Sequence, residues 1–139
     1  MRKKKKKYAN VIMLLLILFV LFYVVLQDKS LKVGTEEIVS SYNLDITASD
    51  TKFRNKEITL SGKVKSFFQL EGETSMLQLD TGNSEIQLYC ILLNKETVEK
   101  AASLTTGTNV KVIGKCLGLN NSPADRFTNS IYIQTEQIK

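Results

Sequence analysis

Few side chains in this sequence have chemistry to offer. There is no His, which removes Ser–His and Cys–His activation of a nucleophile and any imidazole ligand for a metal. The two Cys, Cys90 and Cys116, are too far apart for a CxxC motif and too few for a zinc site. Carboxylates such as Asp45 and Asp50 are scattered rather than paired, and neither a phosphate loop nor a nucleophile elbow occurs. No catalytic residue, metal site or cofactor is expected, and the chain does not read as an enzyme. Aromatic rings interleaved with cations remain: Lys63, Lys65, Phe67, Tyr89, Arg126 and Tyr132. Rings stack on bases or sugars, at about 1–3 kcal/mol per base, while Lys and Arg meet phosphates. The competing reading is that Phe67 and Tyr89 simply pack beneath a helix or a loop.

Charge separates these readings in part. The formal net charge is +5, with 19 Lys+Arg against 14 Asp+Glu over 139 residues. Six of those cations, Arg2 and Lys3 to Lys7, precede any domain. From Gln27 onward there are 13 Lys+Arg against all 14 Asp+Glu. A domain that grips phosphate backbones carries a basic excess on its folded part. This one does not, so nucleic acid ranks as the second ligand class.

The basic cluster 1–7 is followed by 16 consecutive apolar or aromatic residues, Val11 to Leu26. Taken from Tyr8 to Leu26, the run has 19 residues, with Asn10 its only strongly polar member. At 1.5 Å per residue a helix of that length spans roughly 28 Å, close to the hydrocarbon core of a bilayer. Tyr8 and Tyr23 suit its interfaces, and the positive cluster stays cytoplasmic. A cleaved signal peptide would have a shorter apolar region and a small-x-small site; here Val24, Val25 and Leu26 lead into Gln27. The expectation is an uncleaved single-pass signal anchor of the cell membrane over 8–26. Its N-terminus would be cytoplasmic, with a linker over 27–34 and an extracytoplasmic domain over 35–139.

These elements must position the rings. Thr35 reads as the cap of a helix with Glu36 and Glu37 in its first turn, and Ile38, Val39 and Tyr42 on one face. A second helix start falls at Thr47 to Asp50, with Phe53 as apolar anchor. Both helices would cover one end of the domain. Glu57 to Phe68 alternates, with Ile58, Leu60, Val64 and Phe68 inward, and Gly62 suggests a bulge or bend. Ser75 to Asp80 is a second strand, with Leu77 and Leu79 inward. Glu85 to Leu93 is a third: Ile86, Leu88, Cys90 and Leu92 form one face, and Gln87, Tyr89, Ile91 and Leu93 an unusually apolar other. Asn94 caps a helix to about Leu104, with Val98, Ala101 and Ala102 as its buried stripe. Val110 to Leu117 is the fourth strand and Ser130 to Ile138 the fifth, with Ile131, Ile133 and Thr135 inward and a loop over Leu119 to Asn129 between them. The order strand-strand-strand-helix-strand-strand is that of the oligonucleotide/oligosaccharide-binding barrel, the OB-fold. The fold class is therefore mainly β: a five-stranded OB-fold barrel with one helix between strands three and four and a helical lead-in, preceded by a single transmembrane helix. A disulfide between Cys90 and Cys116 is chemically permitted outside the cytoplasm. It would have to cross the barrel, so two buried free thiols are the simpler reading.

Tyr42 to Lys56, followed by Ile58-Thr-Leu-Ser-Gly-Lys-Val64, resembles the opening of the tRNA_anti-like family of small OB-fold proteins. Gly107 to Gly118 is similar to that family's fourth strand, and Leu88-Tyr-Cys90 to its third. The resemblance spans about Glu36 to Ile138. Asp45, Ser49, Phe53 and Asn55 depart from the Asn, Ala, Tyr and Gly of the family pattern. The resemblance implies an OB-fold, often in bacterial proteins that are membrane-attached or exported, and no agreed ligand.

The combined expectation is a membrane-anchored extracytoplasmic OB-fold binding module that recognises a protein or an envelope glycan. The alternative is a single-stranded nucleic-acid-binding OB-fold protein. Lys63, Lys65, Phe67, Tyr89, Arg126 and Tyr132 are the candidate ligand residues in either case.

Overall fold

The computed structural model describes residues 2–25, 30–69, 74–83, 85–124 and 128–139; in the first stretch side chains are described for 11–23 only. Helix α1 (Arg2–Val25) is followed by strand β1 (Leu31–Gly34), helices α2 (Thr35–Leu44) and α3 (Ile46–Phe53), and strands β2 (Glu57–Phe68), β3 (Met76–Leu79) and β4 (Gln87–Leu92). Helix α4 (Lys95–Ala102) and strands β5 (Asn109–Asn120) and β6 (Ser130–Ile138) complete the order.

The strands form one sheet in the order β1-β2-β3-β4-β6-β5, and β2 also pairs with β5. That pairing closes β2 to β6 into a five-stranded barrel with α4 between its third and fourth strands, as the OB-fold requires. Alternate residues of every barrel strand point inward. Ile58, Leu60, Leu77, Leu79, Leu88, Val112, Ile131 and Ile133 are completely buried. From above, α2 and α3 contribute Ile38, Val39, Tyr42 and Phe53 to the same core. The lead-in thus plugs one end of the barrel, because an open end would leave that core in water.

Several local expectations are corrected. The segment 27–34 is not all linker: Leu31 to Gly34 is a sixth strand, parallel to β2, with Leu31 opposite Ile58 and Gly34 opposite Ser61. Residues 27–29 lie outside the described residues. The cap of α2 is Gly34 rather than Thr35, with no side-chain hydrogen bond; Thr35 is buried instead. Helix α3 starts earlier than expected, because the Asp45 carboxylate accepts from the Ala48 N–H at 2.9 Å. Asn94 caps α4 as expected, accepting from the Thr97 N–H at 2.8 Å, but Thr97 rather than Ala102 is buried beside Ala101.

Gly62 is not a bulge. A Cβ there would meet the Thr35 methyl at 2.5 Å, so the bare backbone lets the start of α2 sit on β2. The bulge lies three residues later. Val64 pairs with Leu79 but Ser66 with Gln78, so β2 holds one extra residue, Lys65. An extra residue reverses the side-chain alternation beyond it. Phe67 therefore packs against the core and Phe68, expected inward, faces out.

In α1 the side chains from Val11 to Tyr23 are all exposed. Among the described residues no helix is long and apolar enough to cross a membrane. The outer parts of the expected 8–26 span, and the side chains of the basic tail 1–7, lie outside the described side chains.

Candidate functional site

The bulge at Lys65 decides which rings share a face. Phe68 turns outward on β2, Tyr89 stands outward on β4, and Tyr132 pairs with Tyr89 from β6. The Phe68 and Tyr89 ring centroids are 6.2 Å apart. Tyr89 and Tyr132 stack at 6.0 Å with an interplanar angle of 28°. Three rings therefore run in a row across the outside of the barrel, at spacings where aromatic pairs attract.

Beside the rings runs a chain of hydrogen bonds between side chains. The Ser66 hydroxyl donates to the Gln78 carbonyl oxygen at 2.8 Å. The Gln78 amide donates to the Gln87 carbonyl oxygen at 2.7 Å, and Lys65 Nζ reaches that oxygen at 3.4 Å. Gln78 and Tyr89 stand in register on neighbouring strands. Apolar rings and uncharged amides thus lie side by side on one face.

The centre of that face is not open. Tyr89 is 7% exposed, Gln78 6% and Met76 8%. Removal from water raises the Tyr89 hydroxyl pKa above its ordinary value. Tyr132, Phe68, Gln87 and Ser66 are half-buried around this centre, and Lys63 and Lys65 are exposed at its edge. The expected ligand residues divide accordingly. Tyr89, Tyr132 and Lys65 share the face, and Lys63 sits at its border. Phe67 does not belong to it, because its ring turns inward. Arg126 lies outside the described residues. Phe68, Ser66, Gln78 and Gln87 belong to the face without having been singled out; Gln87 already stood on the outward side of the strand pattern.

A second polar cluster sits where the lead-in covers the barrel end. The Tyr42 hydroxyl donates to Asp50 Oδ1 at 2.9 Å, and Arg54 pairs with Asp50 Oδ2 at 3.0 Å. The Arg54 guanidinium lies over Gly118, where a Cβ would come within 2.6 Å of it. Gly118 has a φ of +87°, so the residue is suited both to the backbone and to this contact. Burial raises the Tyr42 hydroxyl pKa, and the neighbouring Cys116 and Asp50 add to it. The hydrogen bond to Asp50 raises that of Arg54. The Asp50 carboxylate thus ties Tyr42 of α2 to Arg54 at the end of α3, and the Asp45 carboxylate caps α3.

Cys90 and Cys116 are buried free thiols. Each is opposite Ile133, Cys90 from β4 and Cys116 from β5. Two strand spacings put their backbones roughly 10 Å apart, beyond the Cα separation a disulfide tolerates. The disulfide is therefore not formed. Burial pushes the Cys90 thiol up to about 12, against a hydrogen bond from Thr135 that lowers it. Among the described residues no group of three His, Cys, Asp or Glu could hold a metal ion. A groove of roughly 390 Å³ lies away from the rings, where Gly34 and Glu36 meet Gly62, Lys63, Asp80 and Asn109. It is wide open to solvent and has charges of both signs.

The family model described as tRNA_anti-like matches residues 1–125. The chain belongs to the tRNA_anti-like family. Solved structures with the same fold extend the comparison to this tRNA_anti-like barrel. A protein provisionally described as an aspartyl-tRNA synthetase from Leishmania major Friedlin is 11% identical, with a TM-score of 0.55 over 80% of this chain and 20% of its own. A protein provisionally described as a nucleic acid-binding lipoprotein from Klebsiella pneumoniae is 10% identical, with a TM-score of 0.53 over 78% of this chain and 92% of its own. The asparaginyl-tRNA synthetase of Entamoeba histolytica is 15% identical, with a TM-score of 0.50 over 81% of this chain and 24% of its own. The tRNA_anti-like chain thus spans about a fifth to a quarter of the synthetases and most of the lipoprotein. At these identities the likeness is one of fold. A search of curated proteins finds no match.

Proposed function

We propose that this tRNA_anti-like protein is a single-pass, membrane-anchored binding module, not an enzyme, whose barrel lies outside the cytoplasm. The observation that carries the anchor is α1. Thirteen consecutive apolar side chains, Val11 to Tyr23, are 49–70% exposed, within a helix whose backbone runs from Arg2 to Val25. Left in water, each forfeits roughly 1.5–3 kcal/mol of burial. A bilayer is the surrounding that removes that cost along a whole helix. The Lys-rich start of α1 supports a cytoplasmic N-terminus.

The ligand face is the outer surface of β2, β3, β4 and β6. Its rings offer apolar surface, and Ser66, Gln78 and Gln87 offer uncharged hydrogen-bonding groups. That mixture suits a glycan or a polypeptide better than a polyphosphate, and the folded part has no basic excess to argue otherwise. Tyr132, Phe68 and Lys65 are the first residues a ligand meets; Tyr89 is the ring against which Phe68 and Tyr132 pack. The second reading, single-stranded nucleic acid, is supported by Lys63 and Lys65 at the edge of the face and by the described binding of the Klebsiella neighbour.

The test uses the full chain in lipid nanodiscs. It is titrated with labelled single-stranded DNA and RNA at low and physiological salt, and with soluble envelope glycan fragments. We expect glycan binding that is insensitive to salt and lost in Tyr132→Ala. Oligonucleotide binding that weakens steeply with salt, and is reduced by Lys65→Ala, replaces the first reading with the second.

A further inference from the structure

We propose that the end of the barrel carrying the α2–α3 corner rests on the membrane surface, with Leu44 and Ile46 entering the lipid interface. The proposal builds on the reading of α1 as a membrane anchor. Its own basis is the direction of the lead-in and two exposed apolar side chains.

The two ends of the barrel can be told apart. At one end β1 and β2 begin: Leu31 stands opposite Ile58, and the Ser30 hydroxyl is 2.8 Å from that of Thr59. Ser30, Leu31, Lys56 and Glu57 line a shallow notch there. Four residues lie between Val25 and Ser30, and the five Cα steps limit their distance to about 18 Å. The end of α1 and this end of the barrel are therefore neighbours by covalent connection alone. The other end carries Asn109, opposite Lys63, six residues along β2 from Glu57, or roughly 20 Å away.

Helix α2 runs from the far end to the near one. Its first residue, Thr35, lies against Gly62. Its third turn brings Tyr42 to Asp50 and into the surroundings of Cys116. Cys116 in turn exchanges backbone hydrogen bonds with Asn55 and Lys56. Leu44, two residues past Tyr42, thus projects at the end where the chain arrives from α1. Leu44 is 88% exposed and Ile46 43%, the two flanking Asp45, whose carboxylate is spent on capping α3. Leu31 adds a third partly exposed aliphatic group, at 36%.

The charges around them fit a headgroup layer. Lys52 pairs with Glu37 at 3.6 Å on an exposed surface, and Lys56 reaches the Thr51 carbonyl oxygen at 2.9 Å. Lys52 stands in the last turn of α3, and Lys56 on the chain between α3 and β2. Lysines keep their charge in the headgroup layer while their stems lie along apolar surface, and an anionic surface attracts them. The nearby acids are Asp45, spent on its cap, Glu37, paired with Lys52, Asp50, held by Arg54, and Glu57 at the notch. A pair of aliphatic side chains backed by lysines matches the make-up of a shallow interfacial contact.

The experiment uses the full chain reconstituted in liposomes of phosphatidylethanolamine and phosphatidylglycerol, with an environment-sensitive fluorophore on L44C, I46C or N109C in turn. Cys90 and Cys116 are buried and stay unlabelled in the native protein. Lipids carrying a nitroxide at the headgroup should quench most of the L44C and I46C fluorescence and leave N109C largely unquenched. L44C quenched no more than N109C, in protein that floats with the liposomes, overturns the interfacial contact and leaves the anchor standing. Protein that does not float with liposomes overturns the anchor, and the contact with it.

Discussion

Phe67 and Phe68 show how one residue rearranges a face. The strict alternation of Ile58, Leu60 and Val64 extrapolates to an inward Phe68 and an outward Phe67. The extra residue at Lys65 exchanges them, and no Gly or Pro marks the place, so the exchange is invisible in the sequence. The ring row was legible in Tyr89 and Tyr132 but not in its third member. The buried polar-to-thiol environment has a measurable consequence. Burial raises the Cys90 thiol from 9.0 to about 12, and raises those of Cys116 and Tyr42 also. A group whose folded pKa exceeds its unfolded one contributes stability below the unfolded value and loses it as pH rises toward the folded one. Thermal stability should hold through neutral pH and then fall between about pH 9 and 12. Melting curves followed by circular dichroism across that window check this; a melting temperature unchanged to about pH 11 contradicts buried, protonated thiols.

Strand β1 is the element that composition and pattern conceal most completely. Leu-Lys-Val-Gly is too short to show a period, and the partner that makes it a strand lies beyond two helices, at Ile58 to Ser61. A parallel pair of that kind is specified by tertiary packing rather than by local propensity. Val33, 5% exposed, is its inward side chain, and Lys32 its exposed neighbour. Val33→Asp places a charge in the core and should cost about 3 kcal/mol or more, while Lys32→Asp should change stability by no more than about 0.5 kcal/mol. Urea denaturation of both variants is the check, and equal midpoints would remove β1 from the folded unit. By contrast the five barrel strands and α4 were legible, because each carries several inward aliphatic residues at its own period or a side-chain cap such as Asn94. The end-covering helices were legible through Ile38, Val39, Tyr42 and Phe53; their precise starts were not, since Gly34 caps without a side chain and the second helix, expected to start at Thr47, is capped by Asp45.

At the scale of the whole molecule, sequence reading reached the barrel and the family but not a ligand. The OB order is written in the spacing of apolar runs, whereas a ligand is written in the few atoms that stay exposed, and here the central ring is itself covered. The closure of the barrel by β2 and β5 also governs time. Glu57 finds its partner in Lys115, and Lys63 in Asn109, so the seam joins segments far apart along the chain. Such distant pairings must lose chain entropy before they gain contacts, and barrels of this class fold in milliseconds to seconds. Stopped-flow refolding of the full chain in detergent should show its main phase in that range; a microsecond phase carrying the whole amplitude would contradict seam closure as the late event. Until β5 emerges from the ribosome, β2 has one edge with nothing to pair, and the unfinished barrel is open to pairing with a neighbouring chain. The same seam that makes the finished domain edgeless there leaves the nascent one exposed to misassembly.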